Sequence, residues 1–238
     1  MSEPKAPTLI AVAHGTREAA GVAEIGRLVE LVRRARPQAT VRLCWLELAE
    51  PLLREELADQ AGPAVVVPLL LSTGYHVKTD ITAAVAGRPG ITVAAQLGPD
   101  RRIAAAVLDR LHQVGGLPAA GIALVGSGSS DPEAADDLAM AAAQLRQLAG
   151  CPVYPRVLTD PRWYDGLPAG IAVASYLLAP GYFAGRLAEL ARAELGATRV
   201  SDPIGAHPNL VELIWDRYAE AARTMSPDIR AGRQDRLG

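Results

Sequence analysis

Two histidines and one glutamate in this chain stand at places where side chains could act together. His14 follows a short apolar run, in Ala13-His14-Gly15-Thr16-Arg17. His76 follows a longer one, in Ser72-Thr73-Gly74-Tyr75-His76-Val77-Lys78-Thr79-Asp80. Between them, after the second β-rich run, comes Trp45-Leu46-Glu47-Leu48-Ala49-Glu50. Two imidazoles and a carboxylate suit a borderline divalent metal such as Co2+, Ni2+, Fe2+ or Zn2+. Three protein ligands leave a coordination position open, which suits chemistry more than a purely structural metal. A neutral imidazole, with a reference pKa of about 6.5, can also accept a proton near neutral pH. Gly15 and Gly74 flank the histidines and let the backbone turn, or approach a ligand closely. Each histidine alone reads equally well as a hydrogen-bonded structural residue, and Glu47 as the cap of the next helix. Their joint placement at successive strand ends is what points to a site.

The elements that must position them alternate between short β-rich runs and longer Ala/Leu/Arg runs. In the first half the spacing predicts strands over Leu9–Ala13, Thr40–Leu46, Ala64–Leu71 and Ile91–Leu97. Helices are predicted over Glu18–Ala35, Pro51–Gln60, Thr79–Ala86 and Arg101–Val114. Strand–helix alternation implies a parallel sheet with helices on its faces, and ligands bind at the carboxyl ends of such strands. AVVVPLLL is continuously apolar, as a central strand would be, although Pro68 argues against an internal place. Gly115-Gly116-Leu117-Pro118 breaks the pattern. Alternation then restarts, with strands over Ile122–Val125, Val153–Leu158, Ile171–Leu178 and Thr198–Val200. The accompanying helices are about Pro132–Leu148, Ala184–Leu195 and Asn209–Ala222.

The second half repeats the first. Gly74-Tyr75 falls on Gly181-Tyr182, Leu97-Gly98 on Ile204-Gly205 and Asp109-Arg110 on Asp216-Arg217, all at an offset of 107. Near the start of each half the offset is 113, which puts Ala13-His14-Gly15-Thr16 on Gly126-Ser127-Gly128-Ser129. Ser127 and Phe183 therefore stand where the first half has His14 and His76, so the fold itself does not require the imidazoles. The expected organisation is a first lobe over 1–115 with the metal site, a repeat lobe over 116–225, and a loose tail over 226–238. Two other histidines carry no such pattern. His112 lies within a helix, and His207 reads as a helix-start residue because its repeat partner, Asp100, can cap a helix.

Bulk properties narrow the class. Half of the residues are hydrophobic and 21% are charged, enough for a sizeable packed core. A net charge of −2 implies no general affinity for nucleic acid or acidic membranes. No apolar run reaches the roughly 18 residues of a membrane span, and the start lacks an export signal, so a cytoplasmic protein is expected. Cys44 and Cys151 show no metal-type spacing and read as core thiols of a reduced compartment. Gly126-Ser127-Gly128-Ser129-Ser130-Asp131 lacks both the third glycine of a dinucleotide fingerprint and the lysine of a P-loop.

Taken together, Ala-His-Gly-Thr-Arg, Leu-Glu-Leu-Ala-Glu-Pro and Pro-Leu-Leu-Leu-Ser-Thr-Gly-Tyr-His-Val-Lys-Thr-Asp-Ile resemble the CbiX/SirB family of class II tetrapyrrole chelatases. The resemblance covers nearly the whole chain, with Thr16 where serine is usual and Thr82 where proline is frequent. It implies two flavodoxin-like α/β lobes, each a parallel sheet flanked by helices, with a tetrapyrrole in the cleft between them. It implies insertion of Co2+ or Fe2+, with Ni2+ a lesser choice, into sirohydrochlorin on the way to cobalamin or sirohaem. His14 and His76 then correspond to the metal-handling histidines and Glu47 to the accompanying acid, with no cofactor beyond the substrate metal. Arg17 and Lys78, beside the two histidines, are candidates for the substrate's carboxylates, and Arg156 and Arg162 for a reach from the second half. Trp45, Tyr75, Trp163 and Tyr182 are candidates for the ring face. A monomer is expected, since the duplication supplies in one chain what two short chains would supply as a dimer. Two other functions fit the same residues: a non-catalytic metal carrier or tetrapyrrole binder, and an enzyme of this type acting on another small molecule.

Overall fold

In the first half, Thr8–Ala13 (β1), Val41–Trp45 (β2), Ala64–Pro68 (β3) and Ile91–Val93 (β4) form one parallel sheet in the order β2-β1-β3-β4. The structure is a computed structural model that describes residues 6–74 and 76–225, and at 76–78 the backbone alone. Ala19–Ala35 (α1) and Leu53–Ala58 (α2) follow β1 and β2. After β3 comes a π-helix, His76–Ile81, which runs directly into Thr82–Val85 (α3); Arg101–Gln113 (α4) follows β4. The strands of this four-stranded sheet are shorter than the apolar runs suggest. Pro68 is the last residue of β3, so its missing N–H does not interrupt an internal strand.

The second half repeats this arrangement with a thinner sheet. Ile122–Gly126 (β5), Val153–Val157 (β6) and Ala172–Ser175 (β7) are parallel in the order β6-β5-β7. The strand expected over Thr198–Val200 is reduced to a single bridge, Val173 to Val200, beside β7 where β4 lies beside β3. Its backbone still closes two bonds, Val173 N–H to the Arg199 carbonyl and Ser201 N–H to the Val173 carbonyl. Glu133–Ala149 (α5), Tyr182–Leu195 (α6) and Pro208–Thr224 (α7) complete the half. Among the described residues, no helix is long and apolar enough to cross a membrane.

Strand alternation sorts the core into three layers. Leu9 and Ala11 of β1, Val65 and Val67 of β3, Ile122 and Leu124 of β5, and Ala172 and Ala174 of β7 all point into one shared cluster. Their neighbours point the other way, because successive strand residues face opposite sides of a sheet. Ile10, Val12, Ala64 and Val66 meet Leu53 and Leu57 of α2 and Ile81. Ala123, Val125 and Val173 meet Leu187 and Ala191 of α6. The shared cluster is filled by α1, α4, α5 and α7, which lie between the two sheets. Cys44 is in the outer layer of the first lobe, where burial pushes its thiol up to about 12, so it is an inert core group.

The helix that ends each half packs on the other half. Helix α4 lies on α5 and β7, while α7 lies on α1, β3 and β4. The pairing is reciprocal down to single bonds. Arg110 of α4 donates through Nε and Nη2 to the Ile204 carbonyl, at 3.0 and 2.8 Å. Arg217 of α7 donates through Nε to the Gln96 carbonyl at 3.0 Å and through Nη2 to Leu97 at 3.4 Å. The helix starts also correspond. The Asp100 carboxylate accepts the Arg102 N–H at 2.9 Å, and His207 Nδ1 accepts the Asn209 N–H at 3.2 Å. The turn at Gly115 thus lies between the two sheets in sequence, whereas each packed lobe takes its last helix from across it. The tail over 226–238 lies outside the described residues.

Candidate functional site

The carboxyl ends of both sheets open into one cleft of about 860 Å³ between the lobes. That size is near the upper end for small-molecule sites, which run to roughly 1,000 Å³. Its walls are the segments after β1, β2 and β3 on one side and after β5 and β7 on the other. The first lobe contributes Ala13 to Glu18, Trp45, Leu48, and Leu69 to Ser72 with Gly74; the second contributes Gly126 to Pro132 and Tyr176 to Ala184.

His14 and Glu47 meet at this wall. His14 Nδ1 lies 3.4 Å from Glu47 Oε1, with both side chains about half exposed; His14 lines the cleft, and Glu47 stands beside it outside the lining. The backbone forces the meeting. β1 and β2 are neighbours in register, and the ladder continues past the strands, with Leu46 N–H on the Ala13 carbonyl and Glu47 N–H on the His14 carbonyl at 3.0 Å. Gly15 has φ +110°, and a Cβ there would stand 1.7 Å from the Glu47 carbonyl oxygen. Gly15, expected to let the backbone turn or approach a ligand, is required here by that positive φ and by the approach of the two loops to each other. Leu48, also at positive φ (64°), is turned out into the cleft and left 46% exposed.

His76 begins the π-helix rather than preceding a helix at Thr79, so the sequence-predicted start is corrected by one wide turn. Its side chain and that of Lys78 lie outside the described residues, as does Tyr75 altogether. Among the described side chains, no three His, Cys, Asp or Glu residues close on a single point. The described part of the predicted trio is therefore the His14–Glu47 pair. Gly74 lines the cleft, with Ser129 Oγ 3.5 Å from where its Cβ would stand, an ordinary contact that does not demand glycine.

The other expected residues separate clearly. Arg17 is exposed and lines the cleft. Arg156 and Arg162 do not line it: Arg156 donates to the neighbouring Pro155 carbonyl and lies 6.0 Å from the Tyr154 ring. Their distance follows from their place on β6 and the loop after it, since β6 is the edge strand of its sheet. Trp163 is 1% exposed in the outer core of the second lobe, so it cannot reach a ring face. Trp45 is buried yet forms part of the cleft wall. Tyr182 is 70% exposed there and stands edge-on to Phe183, with ring centroids 5.4 Å apart.

Sequence reasoning did not single out Leu48, nor Tyr176, which closes the floor of the cleft. The Tyr176 hydroxyl donates to the Leu71 carbonyl at 3.2 Å, and burial pushes its pKa well above the usual tyrosine range, so it remains a donor. Gly98 makes room for that bond: a Cβ would lie 2.3 Å from the Leu71 oxygen and 2.7 Å from the Tyr176 hydroxyl. The repeat offset was the available signal, since it brings the segments after matching strands together in space.

The two walls are built alike. The Thr16 hydroxyl accepts the Glu18 N–H at 3.1 Å, and Ser129 accepts the Asp131 N–H at 3.1 Å. Thr16 Oγ1 is 3.5 Å from the Cβ position of Gly181, as Ser129 Oγ is from that of Gly74. A pseudo-two-fold cleft thus carries His14 on one lobe, and Ser127 and Phe183 on the other.

Known proteins are similar to this chain over both halves. The CbiX family model matches residues 8–114 and again residues 121–221. A curated relative, sirohydrochlorin ferrochelatase of Bacillus subtilis (strain 168), is 28% identical over 245 aligned residues, covering 90% of this chain and 91% of its own. The solved structure of SirB from Bacillus subtilis with Fe3+ is 26% identical, with a TM-score of 0.74, and covers 91% of this chain and 96% of its own. The cobalt complex of the sirohydrochlorin chelatase SirB from Bacillus subtilis subspecies spizizenii shares the fold, with 24% identity and a TM-score of 0.76 over 92% of this chain and 96% of its own.

Proposed function

The chain belongs to the CbiX family, and we propose that within it this protein is a sirohydrochlorin chelatase that inserts Fe2+ or Co2+ into the macrocycle. One observation carries the assignment to this cleft: His14, on one wall of an 860 Å³ cleft whose other wall has Ser127 at the matching place, is paired with the Glu47 carboxylate. Likeness to relatives named for sirohydrochlorin supports the substrate.

Insertion replaces two pyrrole N–H protons with one divalent metal, so two protons must leave as the metal sheds its ligands. Glu47 beside Nδ1 favours the His14 tautomer with its hydrogen there, which gives Nε2 the lone pair for a metal or a pyrrole proton. The carboxylate then stabilises the imidazolium that results. His76, starting the π-helix at the end of the neighbouring strand, is the second metal-handling histidine of this proposal. Wide π-turns are frequent at functional sites. Arg17 at the cleft edge meets a substrate carboxylate, a strong charge-assisted pairing; Lys78 is assigned the same task. Leu48 and the Tyr182–Phe183 pair, exposed and apolar, form the bed for a flat conjugated ring.

The test is an anaerobic absorbance time course of sirohydrochlorin with Fe2+, Co2+ or Ni2+, with the spontaneous rate subtracted. Acceleration that is lost in His14→Ala supports the assignment and ranks the metals. A spectral shift on mixing without turnover would instead make the protein a carrier. Neither signal would mean that the cleft serves another substrate.

A further inference from the structure

The segment between β3 and His76 is held from both lobes: Val12, Leu97 and Gly98 bond its first two residues within the first lobe, and the second lobe holds it further along. Asp137 of α5 accepts the Thr73 backbone N–H through Oδ2 at 2.5 Å. Tyr176, just past β7, holds the Leu71 carbonyl at 3.2 Å. Within the first lobe, Gln96 Nε2 donates to the Thr73 hydroxyl at 2.5 Å. Thr73 is therefore fixed through both its backbone and its side chain, three residues before His76. An N–H donated to a carboxylate is among the stronger hydrogen bonds of a protein.

The repeat shows that this tether is not a by-product of the fold. At the offset of 107, Thr73 corresponds to Pro180, which has no N–H to donate. At the offset of 113, Asp137 corresponds to Glu24 of α1. Glu24 also reaches across the molecule, but to the Ala206 N–H at 2.6 Å, in the segment leading to α7, and it pairs with Arg27. Both halves place an acid on the first helix to grip the other half's backbone. Only the grip on the segment that leads to His76 falls next to the site.

We propose that Asp137 is a positioning residue: from the histidine-free lobe, its carboxylate fixes the backbone that leads into His76. The proposal rests on the chelatase reading for its effect on rate, and on geometry alone for the tether. It gives the second lobe a part in the reaction beyond closing the cleft. A misplacement of about 1 Å at a reacting group can cost on the order of a hundredfold in rate.

Asp137→Ala and Asp137→Asn separate positioning from bulk stability. Asparagine keeps a side-chain carbonyl that can accept the Thr73 N–H; alanine does not. Asp137→Ala is expected to lower kcat for metal insertion about tenfold with KM for sirohydrochlorin within about twofold, and Asp137→Asn to restore most of the rate. In a His76→Ala background, Asp137→Ala should cost nothing further, because the group it positions is gone. Amide hydrogen exchange across residues 70–80 should rise in Asp137→Ala but not in Asp137→Asn, while residues 8–18 keep their protection. Unchanged kcat in the alanine variant, equal losses with and without His76, or no change in exchange would overturn the proposal. Wild-type protein that fails to turn over sirohydrochlorin would overturn the chelatase reading instead, and the exchange measurement would still decide the tether.

Discussion

Glu47 comes within reach of His14 only because Gly15 has no side chain. The Glu47 carbonyl fills the space where a Cβ would be, and φ +110° is a conformation that L residues rarely adopt. Gly15→Ala is therefore expected to cost about 2–3 kcal/mol of stability and to push the two loops apart; a urea titration against wild type measures the first and the insertion rate the second. Glu47→Gln leaves the loops in place and removes the charge. It should slow insertion at least tenfold, by the usual worth of an acid–base group, with sirohydrochlorin affinity within about twofold; a loss of affinity alone would move Glu47 out of the proton path. His207 offers a pH prediction away from the cleft. Burial lowers its pKa, with Arg110 adding and the Asp109 carboxylate at 3.2 Å opposing. A depressed pKa means that the folded state prefers the neutral ring, whose Nδ1 caps α7. Its contribution is present above the unfolded value of about 6.5 and is lost as pH falls through the lower folded value. His207→Asn keeps a cap acceptor without a charge change, so its urea midpoint should fall less than that of wild type between pH 7 and pH 5.

At the scale of elements, two arginines lock the exchanged helices. Arg217 serves the carbonyls of Gln96 and Leu97 and lies 3.5 Å from Asp100, whose carboxyl burial would raise but which Arg102 and Arg217 hold below its usual range. Arg217→Met keeps the apolar stem and leaves those acceptors unserved, at a cost of about 2 kcal/mol, read from the urea midpoint with an unchanged m-value. Most of the elements that carry these contacts were legible in the sequence. The strands show as β-branched runs between glycine and proline breaks, and α1, α4, α5, α6 and α7 as long Ala/Leu/Arg runs within a residue or two of their ends. The start at His76 was not legible, because Val77 and Thr79 are poor helix formers and the turn there is π rather than α. Nor was the shortness of the strands: Leu69 to Leu71 are as apolar as Val65 to Val67, but they lie past the end of β3 and line the cleft. The site was half legible. Residue types at strand ends brought out His14 and Glu47, whereas Tyr176 and Asp137 act through distant backbone groups that no local pattern marks.

The whole molecule is a pseudo-two-fold pair whose halves cannot be separated along the chain. Residues 1–115 contain all of the first sheet and both candidate histidines, yet α7, which covers α1, β3 and β4, lies outside them. In the same fragment α4 would lose α5 and β7, and the apolar faces now in the shared cluster would meet water. A small domain has little stability to spare for such exposure. The repeat offers one remedy. Because Asp109-Arg110 and Asp216-Arg217 occupy equivalent places, α4 of a second copy could lie where α7 lies now. Residues 1–115 produced alone should therefore be folded only as a dimer, or together with residues 116–238 supplied in trans, and should be largely unfolded as a monomer at low concentration. Circular dichroism and light scattering over a dilution series would measure this, with helix content expected to fall as mass drops to that of one fragment. A folded monomeric fragment would mean that α4 can turn back onto its own sheet, and that the exchange of helices is a convenience of the long chain rather than a requirement of the fold.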